Sequence, residues 1–370
     1  MNAADFVHPH IRAMQGYVPG AQLNARDVIK LNSNENPFPP AARVISAIQS
    51  AITFDPLEKY PDPFARNLRT ALAERYKTRA DQVLIGNGSD EILTILFRAL
   101  LGPQAGLLIP DPTYSLYPVL AELTRTTLRT VAVQPDWQLD LAAMQTELEQ
   151  SPDFYKLCII ANPNAPTGIA ADAEALLEFV KSSPCPVLID EAYADFNTFS
   201  FSQFVGQNEL EHLLVCGTFS KSYSLAGLRI GWLTASPAMI NELDKIRDSY
   251  NVNRLSQTAA LAALSDPTEF DAQIKRICAV RDWFAAQLQT AGFEVLPSST
   301  NFLMIRKPDT LDPAAFAKSW FEHLQQKNIL VRYFHQAPLD QWVRISIGTR
   351  QQMELLWQIT LQWMQTGTNG

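Results

Sequence analysis

Short apolar runs alternate with segments of helical period over the middle of the chain. Most of the runs are rich in Leu and β-branched residues and apolar on both faces, which is typical of buried strands in a mostly parallel sheet. They cover residues 106–109, 128–133, 157–161, 187–190, 213–217 and 230–234. Segments of helical period, such as 141–149 and 174–181, lie between them. The alternation predicts a large doubly wound α/β domain, which we place over residues 51–260.

The two ends of the chain differ from this middle part. A long helical pattern over 256–291 leads to short strand-like runs at 293–296 and 301–305. A helix near 314–325 follows, then strands near 329–331 and 343–346 and a closing helix. We expect a smaller α+β domain over residues 261–370. The first 40 residues are rich in Asn and Pro and predict an extended arm, so residues 1–50 are assigned to an N-terminal arm and part of the small domain.

Composition narrows the classes of function. The formal net charge of −8 argues against nucleic acid as a partner, because phosphate backbones bind basic surfaces. No window of about 18 apolar residues predicts a membrane span, and the first 15 residues lack the pattern of a secretory signal. The four cysteines are scattered without metal-ligand spacing. We therefore expect a cytoplasmic protein that has no metal site and does not bind membranes or nucleic acid.

Polar residues follow several of the predicted strands. Ligands of open parallel sheets bind outside the carboxyl ends of the strands, so these residues are candidates for a site. Asp190 follows one run, Thr218 to Lys221 another, and an Asn- and Pro-rich turn at 162–168 a third. Gly86-Asn87-Gly88 precedes a predicted helix start at Ser89. An acid, a lysine with neighbouring hydroxyls and a possible anion-binding helix start are thus expected at one edge.

The run S-K-S-Y-S-L-A-G-L-R-I-G at 220–231 resembles the cofactor-lysine signature of fold-type I aminotransferases, in the form typical of the histidinol-phosphate aminotransferase branch. The motif D-E-A-Y at 190–193 is the second specific match. Supporting matches are N-E-N-P at 34–37, Y-P-D at 60–62 and V-R-I-S-I-G-T at 343–349. The matches are collinear from about residue 30 to the end of the chain, so the resemblance covers nearly all of it.

The resemblance implies pyridoxal 5'-phosphate as cofactor, carried as a Schiff base on the catalytic residue Lys221. Asp190 would pair with the pyridinium nitrogen, and a carboxylate there strengthens the electron withdrawal by the ring. Tyr193 would donate a hydrogen bond to the phenolate oxygen of the ring. Lys221 would then move the proton between the substrate α-carbon and the cofactor.

The cofactor phosphate needs hydrogen-bond donors and fixed positive charge. By resemblance, Arg229 supplies a guanidinium to the phosphate. The other residues implied in the phosphate site are Thr218 and Ser220 through their hydroxyls and Gly88, Ser89 and Asp90 through their backbone amides, the last three at the positive end of a helix.

Two tyrosines have roles implied by the resemblance. Tyr114 would stack on the pyridine face. Tyr60 would reach the cofactor phosphate of the neighbouring subunit, which implies a homodimer with a shared active site.

The turn at 162–168 departs from the family pattern. Relatives usually carry Asn-Pro-Asn-Asn-Pro-Thr-Gly, in which the last Asn binds the phenolate oxygen of the cofactor, but here that position is Ala165. Either Tyr193 makes that hydrogen bond alone, or Asn162, Asn164 or a water replaces the missing amide. One lost hydrogen bond costs about 1 kcal/mol, so we expect an active enzyme. Asn164 is retained as a candidate cofactor contact.

Two arginines near the C-terminus are candidates for substrate binding. By resemblance, Arg344 binds the α-carboxylate of the amino donor glutamate, and Arg332 with Arg344 binds the phosphate of histidinol phosphate. Tyr17 and Asn36 of the arm are weaker candidates. The implied reaction converts L-histidinol phosphate and 2-oxoglutarate to imidazole-acetol phosphate and L-glutamate, in histidine biosynthesis.

Three alternatives share most of these residues. An aromatic amino-acid aminotransferase and a phosphothreonine decarboxylase would use the same fold and cofactor lysine. A non-catalytic cofactor-binding regulator is the alternative from another class. Such regulators carry an added DNA-binding domain, and the sequence shows neither the length nor the basic patch for one.

Overall fold

The computed structural model describes residues 2–17, 20, 27–197 and 199–367. Within these residues the chain forms twelve α-helices: α1 Pro9–Ala13, α2 Ala42–Phe54, α3 Arg66–Tyr76, α4 Ser89–Leu100, α5 Leu116–Thr124, α6 Leu141–Gln150, α7 Ala173–Ser182, α8 Pro237–Asp244, α9 Arg254–Leu264, α10 Pro267–Thr290, α11 Pro313–Gln326 and α12 Arg350–Gly367. Short 3-10 helices cover Ala3–Phe6, Ala80–Gln82, Ala194–Phe196, Phe201–Phe204, Asn208–Leu210, Ala226–Leu228 and Leu339–Gln341.

The strands of the described residues form three sheets. Their bounds are β1 Ile29–Lys30, β2 Val83–Gly86, β3 Gly106–Asp111, β4 Thr127–Ala132, β5 Tyr155–Ala161, β6 Val187–Asp190, β7 Leu213–Thr218, β8 Gly231–Thr234, β9 Glu294–Val295, β10 Phe302–Arg306, β11 Ile329–Leu330, β12 Arg332–Tyr333 and β13 Val343–Ser346.

The central sheet has seven strands in the order β2-β8-β7-β6-β5-β3-β4. Neighbouring strands from β4 to β7 are parallel, and β8 runs antiparallel to β7 and to β2. The predicted fold class, a mostly parallel α/β fold with a smaller α+β part, is confirmed. All six predicted runs are strands, whereas the four-residue strand β2 was not recognised from the sequence.

Helices cover both faces of this sheet. Alternate residues of each strand enter opposite core clusters: Leu108, Ile160 and Ile189 pack on one face, and Leu107, Ile159 and Leu188 on the other. All six side chains are buried. This explains why most of the strands are continuous apolar runs, since neither of their faces is exposed to water; the edge strand β4 is only partly buried.

A second core lies around the four-stranded antiparallel sheet β12-β13-β10-β9. It also takes in Tyr193 and Ala165 from the loops of the central sheet. The arm joins this part through β1, which pairs in parallel with β11. The residues around the carboxyl ends of β5 and β6 therefore pack directly against the small sheet.

Two expectations about the ends of the chain were wrong. The helical pattern at 256–291 forms two helices, because Asp266 caps the second helix by accepting from the Glu269 amide (3.1 Å) and Pro267 occupies its first turn. The N-terminal arm is not extended throughout, since residues 3–6 and 9–13 form short helices.

None of the described helices is both long enough and apolar enough to span a bilayer.

Candidate active site

A cavity of about 690 Å³ opens at the carboxyl ends of β3, β5, β6 and β7. The start of α4 and residues of the arm and the small sheet complete its walls. Twelve of the residues predicted from the sequence line it: Tyr17, Ser89, Asp90, Tyr114, Asp190, Tyr193, Thr218, Ser220, Lys221, Arg229, Arg332 and Arg344. The structure thus brings together residues separated by more than 300 positions in one concave site, the usual location for ligands of open α/β sheets.

Asp190 ends β6 and lies at the bottom of the cavity, 4% exposed. Its carboxylate accepts hydrogen bonds from the Tyr117 hydroxyl (2.7 Å) and the Ala192 amide (3.0 Å), both neutral donors. Burial raises the pKa of Asp190, and the hydrogen bond from Tyr117 partly opposes this effect. A buried carboxylate with neutral donors and a raised pKa is suited to a cationic N–H ligand, which would favour its ionised form.

Hydroxyl and guanidinium groups converge where β7 ends and α4 begins. The Arg229 guanidinium donates to Ser220 Oγ at 3.3 Å and to the Asp90 carboxylate at 3.1 Å. Thr218 Oγ1 donates to Ser220 Oγ at 3.0 Å. Gly88 caps α4 with φ 91°, and a Cβ there would lie 2.6 Å from Arg229 Nη2. Glycine accommodates both this backbone conformation and so close a guanidinium, and the donors that meet here form a cradle suited to an anionic group.

Lys221 follows β7 and points into the cavity. Its Nζ donates to the Ser33 carbonyl at 3.0 Å. The next residue, Ser222, is held by its side chain, because Ser222 Oγ donates to the Asp195 carboxylate at 2.5 Å. Asp195 in turn pairs with Arg75 at 3.4 Å. Burial raises the pKa of Asp195 and the Arg75 charge opposes it. This partly buried pair fixes the backbone next to Lys221.

Two tyrosines lie on one side of the cavity. Tyr114 Oη donates to Asp90 at 3.3 Å, and the Tyr114 ring meets Tyr17 edge to face with centroids 6.2 Å apart. Burial, followed by the nearby Asp90 charge, raises the pKa of Tyr114, so the phenol is neutral at physiological pH. The neutral ring offers an apolar face to a planar ligand.

The loop side of the cavity contains Tyr193, Ala165 and Asn34. Asn34 Nδ2 donates to Tyr193 Oη at 2.8 Å. Ala165 lines the cavity but provides no side-chain donor. Asn34 belongs to the N-E-N-P motif, yet it was not among the predicted site residues.

Arg332 and Arg344 lie opposite each other on the paired strands β12 and β13. Both guanidiniums lie over the Phe334 ring, at 5.7 and 5.8 Å from its centroid. Arg344 donates to the Asn32 carbonyl at 3.2 Å, while its Nε is buried without a hydrogen-bond partner. Burial, and to a smaller extent the like charge of Arg332, lowers the pKa of Arg344. Two adjacent cations with unused donor capacity form a site for an anionic group.

Three predicted residues have side chains directed elsewhere. Asn164 is buried and donates to the Pro112 carbonyl (3.0 Å), and Asn36 donates to the Ser222 carbonyl (3.0 Å). Tyr60 is 76% exposed and stacks on Tyr250 with centroids 4.3 Å apart. The Asn162 Oδ1 likewise accepts from the Ala171 amide at 2.8 Å. None of these four lines the cavity in the described part of the chain.

Tyr117 and Phe334 were missed by sequence reasoning. Tyr117 lies within α5 and is completely buried, so its sequence context is that of a core residue. Phe334 follows β12, two positions after Arg332, and this spacing on an extended segment was the only available signal.

Comparisons with known proteins identify the family. The family model for aminotransferase class I and II matches residues 26–358. The histidinol-phosphate aminotransferase of Chromohalobacter salexigens is 40% identical over 355 residues, covering 95% of this chain and 97% of the relative. That of Syntrophus aciditrophicus is 39% identical over 352 residues and covers 94% of both chains. The crystal structure of histidinol-phosphate aminotransferase from Sinorhizobium meliloti, in complex with pyridoxal-5'-phosphate, has a TM-score of 0.87 at 26% identity, covering 96% of this chain and 97% of that one.

The chain therefore belongs to the class I and II aminotransferases, and its cofactor is pyridoxal phosphate. Within that family, the curated relatives to which it is similar are histidinol-phosphate aminotransferases. The cavity fits the cofactor on its own geometry. Asp190 offers a buried carboxylate to a protonated ring nitrogen, Arg229 with the Gly88 cradle offers donors to a phosphate, and Lys221 offers a primary amine in the same cavity.

Proposed function

We propose that this aminotransferase transfers the amino group of L-histidinol phosphate to 2-oxoglutarate, giving imidazole-acetol phosphate and L-glutamate. The observation that carries the proposal is the pair Arg332 and Arg344, adjacent across β12 and β13 at one end of the cavity. A site that alternately accepts a phosphate and a carboxylate needs guanidiniums that bind either anion. The similarity to named histidinol-phosphate aminotransferases supports the same substrate.

The roles of the cavity residues follow from their positions. Pyridoxal phosphate, when bound, withdraws electrons from the substrate α-carbon. Asp190 keeps a proton on the ring nitrogen, because its buried carboxylate is stabilised by a cationic partner. Lys221 Nζ would hold the cofactor and would accept the substrate α-proton and return it.

The remaining residues are proposed to hold and orient the cofactor and the substrate. The residues proposed to bind the phosphate are Arg229, Thr218 and Ser220 through their side chains and Gly88, Ser89 and Asp90 through their backbone amides. Tyr114 packs on the ring face, and Tyr193 donates to the ring oxygen. Arg344 binds the donor carboxylate, Arg332 the substrate phosphate, and Tyr17 covers the entrance. Asn164 and Asn36 lie outside the cavity and fix the neighbouring backbone by donating to the Pro112 and Ser222 carbonyls.

A panel of amines tests the substrate. The absorbance of the bound cofactor is followed after mixing with L-histidinol phosphate, L-phenylalanine or O-phospho-L-threonine. Histidinol phosphate should react with the highest kcat/KM, and glutamate should react as well. A higher kcat/KM with phenylalanine, or release of CO2 from phosphothreonine, contradicts the proposal.

Paired arginine variants localise the phosphate site. Arg332→Gln should lower kcat/KM for histidinol phosphate roughly 10- to 100-fold, the value of one charge-assisted hydrogen bond, with a smaller effect on glutamate. Arg306→Gln is the matched control, because Arg306 stacks on Trp342 and pairs with Glu294 outside the cavity. Equal losses in the two variants would show that Arg332 has no specific role.

We further propose that the enzyme is a cytoplasmic homodimer in which Tyr60 completes the partner's phosphate site. Tyr60 and the neighbouring Phe54 and Leu57 are more than half exposed, although they are large and apolar or aromatic. Exposed clusters of this kind mark interfaces.

Mixed dimers test this arrangement. Lys221→Ala and Tyr60→Ala subunits are each purified, mixed, dissociated and reassociated. If Tyr60 acts across the interface, the mixed dimer contains one complete site and activity rises above that of either parent. Activity that stays at the parental level refutes a shared site.

A further inference from the structure

Asn34 is held rigidly beside Tyr193. It is 2% exposed and has φ 55°, a left-handed conformation that Asn tolerates better than most residues. Its backbone amide donates to Ser346 Oγ at 2.8 Å, and its carbonyl accepts from Asn301 Nδ2 at 3.0 Å. The side-chain amide therefore starts from a fixed backbone.

The direction of each hydrogen bond in this group is determined. Ser346 Oγ accepts from the Asn34 backbone amide, so its own hydrogen is free to donate to Asn34 Oδ1 at 2.9 Å. The Asn34 oxygen is thereby turned to Ser346, and Nδ2 donates to Tyr193 Oη at 2.8 Å. A hydroxyl that accepts from Asn34 must direct its own hydrogen elsewhere.

We propose that Asn34 is a positioning residue that fixes Tyr193 as a hydrogen-bond donor toward the cavity, with Ser346 setting the orientation of the amide. Donation by Asn34 also polarises the Tyr193 hydroxyl and makes it a stronger donor. This matters in this chain because Ala165, on the same side of the cavity, supplies no side-chain donor, while Asn164 donates to the Pro112 carbonyl and neither Asn164 nor Asn162 lines the cavity. The inference rests on the proposed contact between Tyr193 and the ring oxygen of the cofactor.

Other titratable groups face Tyr193, and none of them is changed by the variants used in the test. Lys221 Nζ lies 5.9 Å from the centroid of its ring, and the Arg344 guanidinium and the Tyr114 hydroxyl interact with it electrostatically. Variants of Asn34 and Ser346 leave these groups in place.

The readout is the pH midpoint of the absorbance change of the cofactor linked to Lys221. A donor to the ring oxygen stabilises its negative charge and lowers the proton affinity of the adjacent linkage, so a weaker donor raises the midpoint. Asn34→Gly removes the amide, suits the left-handed backbone and keeps both backbone hydrogen bonds. We expect a rise of about half a unit to one unit, as for the loss of one hydrogen bond.

A double-mutant cycle separates this role from a structural one. Tyr193→Phe should raise the midpoint by about one unit, and adding Asn34→Gly should then change it by less than about 0.2 unit. Ser346→Ala, which leaves Asn34 intact, should shift the midpoint in the same direction by a smaller amount, and it carries the test if Asn34→Gly does not fold. Asn251→Ala, which loses an amide hydrogen bond to the Ile85 carbonyl outside the cavity, is the control and should leave the midpoint unchanged.

The outcomes are distinct. An unchanged midpoint in folded Asn34→Gly, or in Ser346→Ala where that variant carries the test, overturns the inference. An Asn34→Gly shift of the same size with and without Tyr193 also overturns it, because Asn34 then does not act through that hydroxyl. If Tyr193→Phe alone leaves the midpoint unchanged, the proposed contact of Tyr193 itself is wrong.

Discussion

Replacement of Asp190 by Asn tests the proposed partner of the ring nitrogen most directly. The substitution keeps the shape of the side chain and an oxygen that can accept from the Ala192 amide, but it removes the charge. Asp190 is 4% exposed, so water cannot compensate for the loss. Breaking a buried charge pair by removing one partner costs about 3–5 kcal/mol. If that cost falls on the proton-transfer step, kcat decreases roughly 10²- to 10⁴-fold.

The assay is single-turnover absorbance of the holoenzyme with L-glutamate, which isolates one half-reaction. The control is Glu191→Gln, which changes the adjacent carboxylate. Glu191 is also buried and accepts hydrogen bonds from the Phe201 amide (2.5 Å) and Ser200 Oγ (2.6 Å), away from the cavity. It should retain kcat within about twofold. The reasoning is refuted if cofactor-loaded Asp190→Asn loses less than about threefold in rate, or if the control loses as much.

Three further predictions concern stability, cofactor affinity and substrate binding. Burial raises the pKa of Glu191 to about 8 from its usual 4.5, so its stabilising contribution is complete below about pH 4.5 and is lost as pH rises through 8. The free energy of unfolding should therefore fall by an amount on the order of a few kcal/mol between pH 5 and 8, and the thermal midpoint should decline with it. Glu191→Gln should flatten this decline, and an unaltered pH profile of the thermal midpoint contradicts the assignment. Arg229→Gln should weaken cofactor binding by the apoenzyme roughly 10- to 100-fold by fluorescence titration, and unchanged affinity would exclude it from the phosphate site. Arg344→Lys should raise KM for both glutamate and histidinol phosphate, because an ammonium cannot bind an anion in the bidentate way; a change confined to kcat would argue against a binding role.

The large sheet was predictable because most of its strands are buried on both faces, although the edge strand β4 is only partly buried. The other five runs are apolar at nearly every position, so the pattern did not depend on knowing the neighbours. β2 was missed because four residues at the start of a helical region carry little periodic signal. The break between α9 and α10 was visible in Ser265-Asp266-Pro267, whose cap and proline start a new helix, but the apolar period on both sides obscured it.

The candidate site likewise has residues that could be predicted from the sequence and residues that could not. Lys221, Asp190 and Arg229 could be predicted as cavity residues because each lies in a local sequence motif next to a strand. The groups that orient them lie far away in sequence: Tyr117 is 73 residues from Asp190, and Asn34 is 159 residues from Tyr193.

Both pairs form only through tertiary packing, since Tyr117 comes from the core on one face of the central sheet and Asn34 comes from the arm, and a local pattern contains no information about such contacts. Asn34 reaches Ser346 across 312 residues because β1 joins β11 and places the following segment against β13. A motif therefore predicts which chemical groups enter the site, whereas the direction of their hydrogen bonds is decided by tertiary packing. In this chain the Tyr193 hydroxyl shows this most clearly. Ala165 provides no local side-chain donor, and Tyr193 is oriented by Asn34, a residue of the arm.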